Sequence, residues 1–264
     1  MPPLLWPLAT LRIHSPIELV QAGEALGNSW FRGQGSKRWG LQSTLERDSS
    51  RFEVPSGALL EREEVMLKLF RERADLYDQA FVAPTSIFEW LSLIRHYGGP
   101  SRLLDVTSSY LVAGYFALTA APPKVDAAVW AFCFRPDLNG QSLIPDATFE
   151  ANATPGVVVG KPDRLNDRMN AQSGGFLVPR SLNVSLEEQL GMTLATNLKE
   201  IRVYKSVRRL EKETTHQIWR LIIPHGIHNE LFRFLSRCNV RAYSLYPGLD
   251  GLAWSLQEMM RAFS

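Results

Sequence analysis

Residues 96–107 contain the clearest structural signal in the sequence, and they read His96-Tyr97-Gly98-Gly99-Pro100-Ser101-Arg102-Leu103-Leu104-Asp105-Val106-Thr107. Gly98-Gly99-Pro100 ends the helix predicted before it, because glycine and proline both disfavour helix continuation. The apolar run that follows predicts a buried strand over 102–106, and helical spacing resumes over 108–120. The sequence therefore places a strand-to-helix junction at Thr107-Ser108.

Helical periodicity predicts further helices on both sides of this junction. A capping serine, a proline and a glutamate start one at Ser15, which we expect to run to about Leu26. Apolar residues at helical spacing predict the others at 57–80, 85–97, 227–238 and 249–263. The helices therefore alternate with the candidate strands along the chain.

The candidate strands are rich in aromatic and β-branched residues. They lie at 29–34, 126–134, 175–179 and 218–223, with a less regular one at 201–204. Residues 136–161 have little periodicity and many turn residues, which indicates a loop or an insertion. Taken together, the elements predict one α/β (α+β) domain over residues 1–264, with a mixed central sheet flanked by helices.

The composition is close to the average for globular proteins. The chain has 264 residues, of which 45% are hydrophobic, and its net charge is only +2, so no strong overall field favours nucleic acid or a membrane surface. Two cysteines are too few for a disulfide framework, and the histidines lack metal-binding spacing. We therefore expect no metal site. We also expect a cytoplasmic protein without a membrane partner, because the first residues resemble no signal peptide.

Three charged residues lie in apolar segments, where a buried charge needs a partner or a ligand. Arg32, between Phe31 and Gly33, offers a planar set of donors that suits a phosphate, although an internal ion pair explains it equally well. Arg102 and Asp105 flank two leucines and lie on opposite faces of the predicted strand. Asp105 is therefore interpreted as a buried acceptor for a backbone group or an arginine, with a catalytic base as the alternative.

Further polar residues lie near the ends of the predicted elements. Thr107 and Ser108 are placed to cap a helix or to bind an anion at its start. His96 lies at a helix end, where a capping role competes with that of a general base. Gln172 precedes a strand, where its side-chain amide could hydrogen-bond a ribose or brace a turn. We predict one connected polar cluster that contains Arg32, His96, Arg102, Asp105 and Thr107.

Several motifs resemble the FRG-domain family. They are Trp30-Phe31-Arg32-Gly33-Gln34, the stretch 96–107, Ala113 with Tyr115-Phe116-Ala117, and three later segments at 172–176, 222–224 and 244–252. The family's pattern differs at three positions, where this chain has Ser101, Val106 and Ser173. The resemblance implies one FRG-type domain over nearly the whole chain.

The order of motifs is also similar to that of ADP-ribosyltransferase folds. Arg32 comes first, then 105–109 with a spaced alanine and phenylalanine, then Gln172. The transferase pattern has a glutamate at the third position, which is absent here, and Glu187 and Glu188 are the nearest in sequence. This similarity implies an ADP-ribosyltransferase-like fold and NAD as the substrate.

The resemblance assigns two overlapping sets of residues. The expected catalytic residues are Arg32, His96, Asp105, Thr107 and Gln172. The expected NAD-binding residues are Arg32, Gly33, Gln34, Arg102, Thr107 and Ser108. The implied activity is ADP-ribosyl transfer to a macromolecule, either protein or nucleic acid, or NAD hydrolysis, as in a toxin or a phage-defence effector. The alternative is a non-catalytic module that binds a nucleotide or a protein.

Overall fold

A computed structural model of the chain describes residues 6–77, 81–134, 144–163, 167–212 and 217–262. These residues contain one sheet whose strands run in the spatial order β5-β6-β3-β2-β4-β8-β1-β7. The strands are β1 (Trp6–Arg12), β2 (Trp30–Gln34), β3 (Leu104–Thr107), β4 (Ala127–Phe132), β5 (Val157–Gly160), β6 (Gly174–Pro179), β7 (Thr196–Tyr204) and β8 (Ile218–Ile223). In this spatial order, the first six strands, from β5 through to β8, are each antiparallel to their neighbours among them. Strand β1 is parallel to both β8 and β7. The mixed sheet confirms the predicted fold class.

Helices cover both faces of the sheet. They are α1 (Pro16–Leu26), α2 (Thr44–Arg51), α3 (Leu59–Arg71), α4 (Ala74–Tyr77), α5 (Ile87–His96), α6 (Tyr110–Thr119), α7 (Asp167–Ala171), α8 (Leu186–Thr193), α9 (His228–Arg237), α10 (Ala242–Leu245) and α11 (Leu249–Ala262). Local chemistry sets their starts, since Ser15 accepts from Glu18 N in α1 and Ser109 accepts from Val112 N in α6. None of these helices is both long enough and apolar enough to cross a membrane.

Alternating strand residues divide the core between the two faces. Phe31, Ala131 and Leu221 point to one face and pack with α1, α6 and α9, whereas Trp30 and Trp130 point to the other and pack with α8. A third cluster lies between α3, α5 and the β5–β6 end of the sheet. Burial of these apolar surfaces supplies most of the driving force for folding.

Several elements differ from the sequence-based expectations. The predicted loop at 136–161 is wrong for Val157–Gly160, which form β5, while 136–143 lie outside the described residues. The predicted helix at 57–80 is divided into α3 and α4, and residues 78–80 are again not described. The strand expected at 102–106 begins two residues later, so Arg102 precedes it.

Strand β1 was not predicted from the sequence, because Pro7 argues against a central strand. The structure accommodates this proline where the pairing of β1 with β7 shifts register, between Pro7 and Leu8. Helix α2 was missed for another reason: Leu45 is its one buried residue, so it has no apolar periodicity to detect.

Candidate functional site

A cleft opens where β2 and β3 diverge. The two strands pair only at Phe31 and Thr107, and beyond this point their backbones separate. Helix α6 closes one side, which requires glycine at position 33, because a Cβ there would lie 2.0 Å from the carbonyl oxygen of Ala113. The resulting cavity has a volume of about 380 Å³.

Arg32 extends across the gap between the diverging strands. Its Nη1 donates to the backbone carbonyl of Asp105 at 2.6 Å and lies 3.8 Å from the Asp105 carboxylate. Its Nε is buried without a hydrogen-bond partner, and 16% of the side chain is exposed. Burial is the largest effect on the Arg32 pKa and lowers it to about 10. The nearby Asp105 carboxylate raises this pKa, whereas Arg47 and Arg95 lower it further. The charge of Arg32 is therefore only partly compensated inside the protein.

Asp105 binds a second arginine at the cleft. Arg95, in the last turn of α5, donates from Nε (3.0 Å) and Nη2 (2.8 Å) to Oδ2 of Asp105. The Asp105 side chain is 47% exposed, so the expectation of a buried carboxylate is wrong, while the expectation of an arginine partner is confirmed. The physical reason is that this face of β3 opens into the cleft instead of facing the apolar core.

Helices α7 and α10 form the far wall. The Arg168 guanidinium lies 4.6 Å from the centre of the Tyr246 ring, a cation–π contact. The side-chain Nε2 of Gln172 donates to the backbone carbonyl of Leu245 at 3.0 Å. The backbone carbonyl of Gln172 accepts from the Thr107 hydroxyl at 2.7 Å. Thr107 and Gln172 thus reach the cleft as predicted, and their polar groups also hold its walls together.

A smaller chamber of about 150 Å³ adjoins the cleft and shares four of its lining residues, Arg95, Asp105, Arg168 and Gln172. His96 lines this chamber, and burial, followed by repulsion from Arg168, lowers its pKa. His96 is therefore neutral near pH 7. The two cavities form a continuous polar region on one side of α7.

Three predicted residues do not line either cavity. Arg102 is 1% exposed and donates from Nε and Nη2 to the carboxylate of Glu63, in α3. Gln34 accepts from Trp130 Nε1 at 2.8 Å and donates to the carbonyl of Gly40 at 2.9 Å. Ser108 is exposed and contacts the carbonyl of Ser173 at 3.4 Å.

The prediction of one connected cluster is therefore confirmed for Arg32, His96, Asp105 and Thr107, which line the cleft and its chamber, and wrong for Arg102. The binding roles expected of Arg102 and Gln34 are corrected to structural ones, because their polar groups bind protein atoms away from the cleft.

The sequence reasoning missed three residues that line the cleft. Arg95 immediately precedes residues 96–107, and Tyr246 lies inside the segment 244–252 that resembles the FRG-domain family. Both residues therefore had a detectable sequence signal. Arg168 had none, because the short helix that carries it shows no sequence pattern. Together with Arg32 and Asp105, Arg95 and Arg168 place three arginines and one aspartate around one cavity.

Comparison with known proteins gives one finding. No curated protein and no solved structure matched the chain. A family model described as FRG domain matches residues 27–125, which include Arg32, Arg95 and Asp105 and end just after α6. Residues 27–125 therefore match the FRG-domain family, as the motifs in this part of the chain predicted.

Proposed function

We propose that the cleft binds a nucleotide through its phosphates, with NAD as the first candidate. One observation carries this proposal: Arg32, Arg95 and Arg168 converge on a cavity in which Asp105 is the single carboxylate among the described lining residues. A pyrophosphate would supply the missing negative charge. Guanidinium groups suit this task because they present several donors in a fixed plane.

The rest of the cleft suits the other parts of a nucleotide. Phe116 and Tyr246 provide aromatic surface for a planar ring. Burial raises the Tyr246 pKa, against the opposing effect of Arg168, so its hydroxyl stays protonated and can donate to a ribose or a phosphate. Gly33 leaves backbone accessible beside Arg32 and is our candidate contact for the nicotinamide amide.

Cleavage of the nicotinamide–ribose bond is the second candidate function, and Asp105 favours it because its carboxylate is half-exposed at the cleft. In this reaction the bond from ribose C1′ to the pyridine nitrogen breaks, and its electron pair leaves with nicotinamide. Asp105 would stabilise the positive charge that develops on the ribose. Water, or a nucleophile on a macromolecule, would then bond to C1′ and release a proton.

Binding ranks above cleavage because of Arg95. Its two hydrogen bonds to Oδ2 partly neutralise the Asp105 carboxylate, which weakens the field at a developing cation. In a hydrolase, loss of cellular NAD would be the effect expected of a toxin or a phage-defence effector. In a transferase, the open cleft would have to admit the acceptor.

Calorimetry with NAD tests the binding proposal, with the Arg32→Lys variant and the exposed Arg237→Lys as a matched control. Lysine keeps the charge but loses the planar set of donors, so we expect Arg32→Lys to weaken NAD binding by about 10- to 100-fold, the equivalent of one or two charged hydrogen bonds. Arg237→Lys should bind as the wild type does. Absence of NAD binding at millimolar concentration in the wild-type protein would refute the proposal.

The reaction is tested separately, by chromatographic detection of nicotinamide released from NAD. Release that depends on Asp105 would establish cleavage. Binding without release would leave the chain as a nucleotide-binding module.

A further inference from the structure

A second cavity lies on the sheet face that carries Trp130, and we call it the tryptophan cavity. Its volume is about 590 Å³, and none of the described residues that line it lines the cleft. Its apolar lining comes from three parts of the fold. The sheet provides Trp130, Leu8 and Leu198, the loop after β2 provides Trp39, and α8 provides Met192. The cavity therefore has apolar walls of its own, separate from the nucleotide site proposed above.

Arg220 provides the charge in this cavity. It lies opposite Trp130 in the register of β4 and β8, with its guanidinium 5.4 Å from the centre of the indole. Its Nη1 donates to the carbonyl of Lys37 at 3.3 Å, and its Nε is buried without a hydrogen-bond partner. Within the described residues no carboxylate forms an ion pair with it.

Among the described residues, Arg220 is therefore a cation without a carboxylate in ion-pair contact. Placing a charged group in a partly buried site costs free energy unless an opposite charge or enough hydrogen bonds compensate it. Two more cations, Arg38 and Lys199, are exposed at the edge of the cavity. An anion inside the cavity would lie close to all three.

The cavity also has two carboxylates, and each already binds the main chain. Glu187 accepts from the backbone N–H of Leu41 at 2.7 Å, and Glu188 accepts from the N–H and the hydroxyl of Ser185 at the start of α8. They fix the loop and the helix that form the walls. They keep their negative charges, but among the described residues neither forms an ion pair with Arg220.

Trp39 supplies the second recognition element. Its side chain lines the cavity and is 47% exposed, so part of the indole is open to a ligand. Nucleobases stack on aromatic side chains, and nearby arginine and lysine bind the attached phosphate. Trp130 has a different role, because its Nε1 binds Gln34 and Arg220 lies over its ring.

We propose that the tryptophan cavity binds a nucleotide, with the base stacked on Trp39 and the phosphate against Arg220. The same chemistry is offered by a free mononucleotide and by a nucleotide within a single nucleic acid strand. Arg38 and Lys199 would attract the phosphate in either case. The proposal does not depend on NAD binding in the cleft, because the two cavities share no lining residue.

The test measures binding of AMP in the Arg32→Lys background, which weakens the cleft. Trp39→Ala and Arg220→Gln are compared with two controls, Phe52→Ala, an exposed aromatic residue just after α2, and Arg237→Gln. We expect both cavity variants to weaken AMP binding at least tenfold and both controls to leave it unchanged. Ribose 5-phosphate should bind more weakly than AMP and should respond to Arg220→Gln but not to Trp39→Ala.

Labelled oligoadenylate distinguishes the two sources of the nucleotide. Binding at least tenfold tighter than that of AMP, with strong salt dependence, would identify a nucleic acid strand, and equal affinities would identify a free mononucleotide. AMP binding that neither cavity variant weakens, no AMP binding at millimolar concentration, or tighter binding of phosphotyrosine would each overturn the proposal. Because Trp39 is exposed, Trp39→Ala keeps the test decisive if Arg220→Gln fails to fold.

Discussion

Arg102 and Arg32 are both arginines in apolar segments of the chain, yet the protein compensates their charges in different ways. Arg102 is 1% exposed, and its guanidinium binds the Glu63 carboxylate and lies over the ring of Phe149. Arg32 is 16% exposed, keeps an unpartnered Nε, and reaches its nearest carboxylate oxygen only at 3.8 Å. A fully compensated arginine is part of the core, whereas a partly compensated one beside a cavity is a candidate for binding.

The largest effect should come from breaking the Arg102 pair. Arg102→Leu leaves the Glu63 carboxylate buried without its partner, so we expect a loss of about 3–5 kcal/mol in the free energy of unfolding. Urea unfolding measures it. The double variant Arg102→Leu with Glu63→Leu should recover much of the loss, because apolar side chains then replace the pair. A loss below about 1 kcal/mol in the single variant would show that Glu63 finds another partner.

Arg32→Leu should have a smaller effect on stability and a larger one on ligand binding. The variant leaves the Asp105 carbonyl without its donor, which costs about 1–3 kcal/mol, but it also removes a poorly solvated charge, which offsets part of that cost. Urea unfolding and NAD calorimetry on the same samples separate the two effects. If Arg32→Leu destabilises the protein as strongly as Arg102→Leu does, Arg32 is a core residue.

The sequence could not separate these two arginines, because the distinction depends on residues far away in the chain. Glu63 belongs to a helix whose alternating charges indicate a solvated surface, and nothing in its spacing shows that it turns inward to Arg102. Arg95 and Arg168 reach the cleft only through tertiary packing. Burial of a charge is a property of the folded neighbourhood and has no local sequence signal.

What the sequence did predict depends on local chemistry. Capping serines, the Gly98-Gly99-Pro100 break and helical periodicity located α1, α5 and α6. Arg32, Asp105 and Thr107, which were predicted to belong to one polar cluster with His96 and Arg102, do line one cleft, and Gln172 lines it with them. Strand β5 was missed even though three of its residues are β-branched valines, because it is short and the surrounding region is rich in turn residues.

Asp105→Asn tests how the carboxylate nearest to Arg32 affects stability and NAD binding. The change should cost less than about 1 kcal/mol, because the pair with Arg95 is partly exposed. The cleft then keeps its three arginines and loses its carboxylate, so we expect NAD to bind a few-fold more tightly and any nicotinamide release to stop. Asp126→Asn is the control, since Asp126 pairs with Lys37 outside the cleft. Weaker NAD binding in Asp105→Asn would show that Asp105 positions the arginines that bind phosphate.

The smallest expected effect is a pH dependence of stability through His96. Burial, and then repulsion from Arg168, holds the His96 pKa below 6.5, so the unfolded chain binds the proton more readily than the folded one. This contribution to stability is therefore fully present above pH 6.5 and decreases as the pH falls through the pKa of the folded state. Melting curves between pH 7.5 and pH 5 measure it. Arg168→Gln removes one of the two causes and should make the decrease shallower, and His96→Asn should remove this component. An unchanged pH dependence in His96→Asn would assign the decrease to other groups.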